Sequence, residues 1–348
     1  MAEHRTHYVA LALQLACPTV NKLSNDETRQ AMAAYIERMA LHLKGSKTLV
    51  GPDVRLVVLP EYFMTGYPLG ETIPGWAEKA AIAPDGAEYA ALAEVAQDND
   101  VFLSGNVYET DPNFPDLYFQ TCFVIDPSGD TVLRYRRLIS MYAPTPHDVW
   151  DRYLDIYGID AVFPVADTEI GRLACCASEE ILYPEICRAH AIRGAEVILH
   201  STSEVASTAL TPKDVAKRAR AIENIVYVVS CNTGGIADSP IPKNSVDSMS
   251  KIVDFRGHVL ASATIGESMV ANAEIDLAAL RRYRRRGGMP NVLARQRLEL
   301  FADSYANRSI YPANTLLDDA GNHVVPERSH FVDTQRDTID ALIRKGMI

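Results

Sequence analysis

Metal and redox motifs are missing from the 348-residue chain: no two cysteines are spaced as CxxC, and no Cys/His set has zinc-ligand spacing. The six cysteines, Cys17, Cys122, Cys175, Cys176, Cys187 and Cys231, are scattered and read as reduced, mostly buried thiols. Neither GxGxxG nor a Walker A loop occurs, which argues against a nucleotide-binding enzyme. The nine histidines are dispersed, which argues against a metallohydrolase, so no metal and no cofactor is expected. No stretch approaches ~18 uninterrupted apolar residues, so no membrane span is expected. The first residues lack the charged and apolar regions of a leader, and the expected location is cytoplasmic. Clustered positive charge is also scarce. A net charge of -11 and a pI near 5.3 argue against a nucleic-acid or anionic-membrane surface. The exception, RRYRRRGG at 281–288, reads as a solvated turn or a subunit contact rather than a phosphate site.

What is present is the composition of a globular protein with a sizeable core, 47% hydrophobic and 23% charged. Short apolar segments alternate with longer helical ones. YVALALQLA (8–16), VRLVVLPE (54–61), VFLSGNVYE (101–109) and TCFVIDPSG (121–129) read as strands, with helices over about 25–44 and 86–98. Further strands are expected at GRLACCAS, AEVILHST, IVYVVSCNT, SKIVDFRG and SMVANAEI, with proline-started helices at 184–193 and 212–224. PSGD and FRGH are hairpin turns, so the sheets are mixed rather than purely parallel. The strand rhythm runs unbroken to residue 276, which gives one α/β domain over 1–297. Residues 298–348, with a last helix at 332–345, form a C-terminal extension expected at an oligomer interface.

Three segments put polar groups at the ends of apolar strands, where α/β folds place reactive groups. Glu61 ends VVLPE, and a carboxylate desolvated there suits general acid/base work, although a strand-end glutamate satisfied by backbone amides looks the same in sequence. Arg137 lies in RYRRLIS, a cluster that by itself reads as surface. Ser178 ends GRLACCAS just before a proline-started helix, as a nucleophile on a sharp turn would, or as a plain turn or capping residue would.

In this order the segments resemble the carbon-nitrogen hydrolases of the nitrilase superfamily, over roughly residues 8–276. LPEYFMTGYP, FVIDPSGDTVLRYRR and GRLACCASEEILYPE are similar to the family's Glu, Lys and Cys blocks, and AIRGAEVILHSTSE, RARAIENIVYVVSCNTGG and SKIVDFRGHVLA to its later ones. The resemblance implies a four-layer αββα sandwich. It also implies a homodimer or higher homo-oligomer, and a small amide or nitrile as partner. In the family a Glu base, a Lys and a Cys nucleophile form an acyl-enzyme. Here Glu61 matches the Glu, but Arg137 stands at the Lys and Ser178 at the Cys; the same register follows from Gly171 and from Pro184. No lysine occurs between Lys79 and Lys213 to serve instead. No glutamate occurs from Arg137 to Asp167, so His147 or Asp148 would have to fill the second-acid role of some branches.

Serine needs a base placed to take its proton, and Glu61 could be that base; arginine keeps the charge but yields no proton near neutral pH. Three readings accommodate this: a serine-using hydrolase with an acyl-enzyme at residue 178, a silent relative that binds a small amide or acid, and a cysteine replaced to trap a complex. The N–H of Glu179 is expected to face the pocket. Tyr67, Tyr142, Trp150 and Tyr183 are expected to line a narrow one.

Overall fold

The computed structural model describes residues 5–207 and 209–348. The first half of the chain runs β1 (His7–Ala12), β2 (Ala16–Cys17), α1 (Asn25–Val50), β3 (Val54–Val58), α2 (Ile73–Ala80), α3 (Ala87–Asn99), β4 (Phe102–Thr110), β5 (Tyr118–Ile125) and β6 (Thr131–Arg136). It continues with α4 (Trp150–Tyr157), β7 (Ala166–Thr168), β8 (Gly171–Ala177), α5 (Pro184–Ile192), β9 (Val197–Thr202), α6 (Pro212–Asn224) and β10 (Tyr227–Asn232). After β11 (Gly235–Ile236), β12 (Lys251–Val253), β13 (Val259–Ser262) and β14 (Asn272–Asp276) come α7 (Leu277–Arg285), α8 (Glu299–Ala306) and α9 (Ser329–Arg344).

Two six-stranded sheets result, ordered β14-β1-β3-β4-β5-β6 and β13-β12-β10-β9-β8-β7. The central pairs β1–β3–β4 and β8–β9–β10 are parallel, and the outer pairs are antiparallel. The two expected hairpins are there: Asp126 N–H donates to Asp130 O between β5 and β6, and Asp254 N–H to His258 O between β12 and β13. Alternation along each strand sorts the layers. Leu56 and Val58 of β3 face a core shared with Leu173, Cys175 and Val197 of the second sheet. Val57 joins Met32, Ile36 and Met39 of α1 and Leu92 of α3 on the opposite face. Ile186 and Cys187 of α5 and Ala216 and Ala221 of α6 cover the second sheet. The architecture is the expected αββα sandwich.

Boundaries moved where tertiary contacts overrode local pattern. The strand expected over 8–16 ends at Ala12, and the chain then bends so that Gln14 bridges Ser268. The helix expected to end near 44 continues to Val50, because Gly51, at φ 124°, is the first residue to leave helical geometry. The basic run forms the end of α7 rather than a turn. Arg281 binds Glu196 at 2.7 and 2.8 Å, and Arg284 donates to the carbonyls of Ala195 and Ile225, so part of this charge serves its own chain.

Candidate active site

Glu61 lies just past β3, where the backbone meets the end of the second sheet. Its N–H donates to Thr202 O at the end of β9, and Ser201 Oγ donates to Leu59 O. Phe63 packs on Gly105 of β4 so closely that a Cβ there would sit 2.8 Å from Phe63 Cε1. These contacts fix a carboxylate that is only 1% exposed. Oε1 accepts from Gln120 Nε2 at 2.7 Å and from Arg137 Nη1 at 3.2 Å, whereas Oε2 has no partner among the described residues. Burial pushes the Glu61 pKa above the ordinary carboxylate range, although Arg137 and Lys213 pull it down.

Arg137 follows β6 and is buried, contrary to the surface reading of its cluster. Its Nε donates to Ile139 O at 2.7 Å, Nη1 to Glu61 and, at 2.6 Å, to Gln120 Oε1, and Nη2 pairs with Glu179 Oε1. Burial opposes its charge, but Glu179 and Glu61 outweigh that and push the pKa up. The guanidinium is therefore a fixed cationic clamp between two carboxylates.

Ser178 follows β8 with φ 49°, a left-handed conformation that side chains other than glycine seldom adopt, as the sharp turn expected there requires. Two buried groups hold it there. Nε2 of His200 lies 2.8 Å from Ser178 O, and Nδ1 lies 2.9 Å from Ser230 Oγ. Burial, Lys217 and Lys213 push the His200 pKa well down, so the ring is neutral and donates from Nε2 to the carbonyl. Glu180 accepts from Ala177 N at 3.0 Å, Leu138 N at 2.7 Å, Ile139 N at 3.2 Å and Tyr135 Oη at 2.9 Å, which ties the turn at 178 to the segment carrying Arg137. Cys175 and Cys176 stay inside β8, fully buried.

Two site residues escape the sequence reading. Gln120, in β5, bridges Glu61 and Arg137. Lys213, in the first turn of α6, places Nζ 3.2 Å from Ser178 Oγ and 3.3 Å from Thr202 Oγ1. A signal for it existed. A cation in a first turn faces the positive end of the helix macrodipole, so helix stability does not explain a lysine in TPKD.

These groups open on a cavity of about 730 Å³, lined by Glu61, Arg137, Ser178, Glu179 and Lys213 together with Tyr67, Tyr142 and Tyr183. No cysteine is among its described lining residues. The volume is that of a pocket for a drug-sized ligand, roomier than the narrow pocket expected. Trp150 does not line it and packs on the core beneath. His147 and Asp148 also lie outside it. Asp148 caps a turn through Thr145 N and Oγ1 and accepts from Thr315 Oγ1, and the His147 ring lies tilted between Trp150 and Tyr311. The second carboxylate facing Arg137 is instead Glu179. The C-terminal extension folds back onto the cavity. Tyr311, Arg328, Phe331 and Gln335 line it, and Arg328 donates to the carbonyls of Glu71 and Tyr142.

Comparison with known proteins agrees with this fold. The family model for carbon-nitrogen hydrolase matches residues 8–285. A formamidase of Bacillus thuringiensis (strain Al Hakam) is 29% identical over 189 residues, 53% of this chain; the match spans 52% of the formamidase, about half its length. Among solved structures, a carbon-nitrogen hydrolase from Helicobacter pylori G27 superposes with a TM-score of 0.64 at 22% identity, covering 86% of this chain and 98% of the other. Nit3 of Saccharomyces cerevisiae, a member of branch 10 of the nitrilase superfamily, gives 0.62 at 21%, covering 82% and 96%. At these identities the structural matches speak for the fold.

Proposed function

This chain belongs to the carbon-nitrogen hydrolase family, and we propose that it cleaves the C–N bond of an amide, or hydrolyses a nitrile to its acid with loss of ammonia, through an acyl-enzyme on Ser178. The observation that carries the reading is the strained turn that sets the Ser178 hydroxyl in a cavity shared with Glu61. The formamidase relatives favour the amide over the nitrile.

In this mechanism Glu61 is ionised, and its unpartnered Oε2 takes the Ser178 proton as Oγ bonds to the carbonyl carbon. The carbonyl π electrons move to oxygen and return as the C–N bond breaks, and the amine leaves with that proton. Water then attacks the ester, Glu61 again accepts a proton, and the acid departs as Ser178 Oγ is reprotonated. The Glu179 N–H, ahead of the first hydrogen bond of the 3-10 turn Ser178–Leu182, is a donor for the developing oxyanion. Arg137 keeps Glu61 and Glu179 in place. Tyr67, Tyr142 and Tyr183 meet the rest of a substrate larger than a one-carbon amide.

Assembly into a homodimer or higher homo-oligomer is part of the proposal. Helix α8 buries none of its residues in its own chain and leaves Leu300, Phe301 and Tyr305 exposed, which favours a second copy against the extension.

Intact-mass measurement after incubation with a graded series of amides tests the activity. An acyl adduct on the wild type, absent from Ser178→Ala and favoured by longer acyl chains, is expected. Hydrolysis that persists in Ser178→Ala would rule out Ser178 as the nucleophile, and no adduct together with no turnover on any amide or nitrile would return the chain to a binding role.

A further inference from the structure

We propose that Lys213 is a catalytic residue of this site, supplying from α6 the ammonium that the strand-end segment at Arg137 no longer provides. The inference rests on acyl transfer at Ser178.

Donor accounting carries it. Of the five N–H groups of a guanidinium, Arg137 commits those of Nε, Nη1 and one of Nη2 to Ile139 O, Glu61, Gln120 and Glu179. At most one remains. To aim it at an oxyanion the side chain would have to break contacts with two carboxylates in a buried site, so the clamp that orders Glu61 cannot also follow the reacting atoms.

Lys213 is differently placed. Its Nζ is within hydrogen-bonding distance of the nucleophile itself, at 3.2 Å from Ser178 Oγ, and its second contact is the hydroxyl of Thr202 at 3.3 Å. An ammonium has three donors, so one is left for a substrate atom in the cavity that Lys213 lines. Thr202 is fully buried at the end of β9, and its carbonyl accepts the Glu61 N–H, so a single residue anchors both the amine and the base. The helix start is anchored too: Thr211 Oγ1 accepts from Asp214 N at 3.2 Å, and Pro212 opens the first turn. One turn further along the same face, Lys217 is buried beside Glu204, with Nζ 3.6 Å from Oε2.

The chemistry follows from those positions. As Ser178 Oγ bonds to the carbonyl carbon and its proton passes to Glu61, negative charge moves onto the former carbonyl oxygen. The free N–H of Lys213 donates to that oxygen while the other two N–H groups hold Oγ and Thr202. When the C–N bond breaks, the charge returns to the carbonyl, and the ammonium is unchanged. No proton is consumed by Lys213, and the amine leaves with the one Glu61 carried.

The test uses p-nitrophenyl acetate, whose acetyl transfer to Ser178 is read by intact mass and by the p-nitrophenolate burst. Its leaving group needs no proton, which isolates stabilisation of the oxyanion. Against a Ser178→Ala control, Lys213→Met is expected to slow acetylation about 100-fold or more, the size seen when one oxyanion donor is removed. The same thermal midpoint is expected, because the side chain is only half-buried. In Lys213→Ala, added ethylammonium is expected to restore part of the rate, which a merely structural lysine would not allow. Ser178-dependent acetylation at the wild-type rate in Lys213→Met, or a loss in Lys213→Ala that ethylammonium leaves untouched, overturns the role of Lys213 and leaves the nucleophile standing. Equal labelling of wild type and Ser178→Ala overturns the acyl-enzyme, and the role of Lys213 falls with it.

Discussion

Arg137 Nη1 lies 3.2 Å from Glu61 Oε1, and the opposite arm of the same guanidinium pairs with Glu179, so one cation joins the segments that end β3, β6 and β8. Removing one partner of a buried ion pair leaves the other charge uncompensated, at a cost of about 3–5 kcal/mol. Arg137→Ala is therefore expected to lower unfolding free energy in urea by about that amount and to abolish activity. Arg137→Lys is expected to recover only part of the stability, since an ammonium cannot reach Ile139 O, Gln120 and both carboxylates at once. Full stability in Arg137→Lys would show that the fork geometry is dispensable.

In the proposed mechanism Glu61 serves as base only when ionised, and its pKa is raised, chiefly by burial. Activity is thus expected to fall with decreasing pH at a point above the usual carboxylate range near 4.5, rather than within it. Glu61→Gln keeps the shape of the side chain and its contact with Arg137. It is expected to lower kcat by about 10²–10⁴-fold and to remove the acid limb from the residual rate. An acid limb that survives in Glu61→Gln would assign the ionisation to another group.

Much of the fold is readable before any coordinates, because strand alternation, PSGD and FRGH are local patterns that the tertiary structure leaves intact. Glu61 and Ser178 are readable for a related reason: each follows an apolar strand, so position along the chain already implies position at the rim of a sheet, whereas Arg137, in a cluster that by itself reads as surface, is placed only by the family resemblance. Gln120 is not, and Lys213 stands out only as a lysine that its first-turn position does not explain, since nothing near either in sequence reports that β5 passes behind Glu61 or that α6 starts beside Ser178. The order of the segments points to a second acid after Arg137, at His147 or Asp148, whereas folding brings Glu179 to the guanidinium from the far side of the turn at Ser178. The cavity differs from the narrow pocket expected because part of its wall comes from Tyr311, Arg328 and Phe331, in a tail with no strand rhythm to read.

Arg328 is the tie that holds this tail down, through Glu71 O, Tyr142 O and Tyr118 Oη, with Phe331 buried beside it at 2% exposure. Arg328→Ala is expected to loosen the cavity wall while leaving Ser178, Glu61 and Lys213 in place. KM for long-chain amides should then rise several-fold, with kcat less affected and short-chain amides nearly indifferent. A parallel loss of kcat on all chain lengths would mean that the tail orders the reacting groups rather than the substrate.

Glu180 makes the fold itself sensitive to pH. Burial pushes its pKa up to about 7 from an ordinary 4.5, against the lowering influence of Arg137 and of the donors from Leu138, Ala177 and Tyr135. A carboxyl whose pKa is raised by folding binds its proton more tightly in the native state. Its contribution to stability is therefore fully present below about 4.5 and is lost as pH rises through about 7. At 1.4 kcal/mol per pH unit between those two values the loss is on the order of 3 kcal/mol as an upper bound. In Glu180→Gln the amide cannot ionise. Its oxygen still accepts from Leu138 and Ile139, but its nitrogen faces the Ala177 N–H, so the variant is expected to be less stable at pH 5 by about 1–3 kcal/mol. The decisive quantity is the slope. Between pH 5 and pH 8 the wild-type thermal midpoint should fall by a component missing from Glu180→Gln, and the two curves should converge as pH rises. Parallel curves would mean that Glu180 is ionised throughout, and that the three backbone N–H groups and the tyrosine hydroxyl it accepts outweigh its burial.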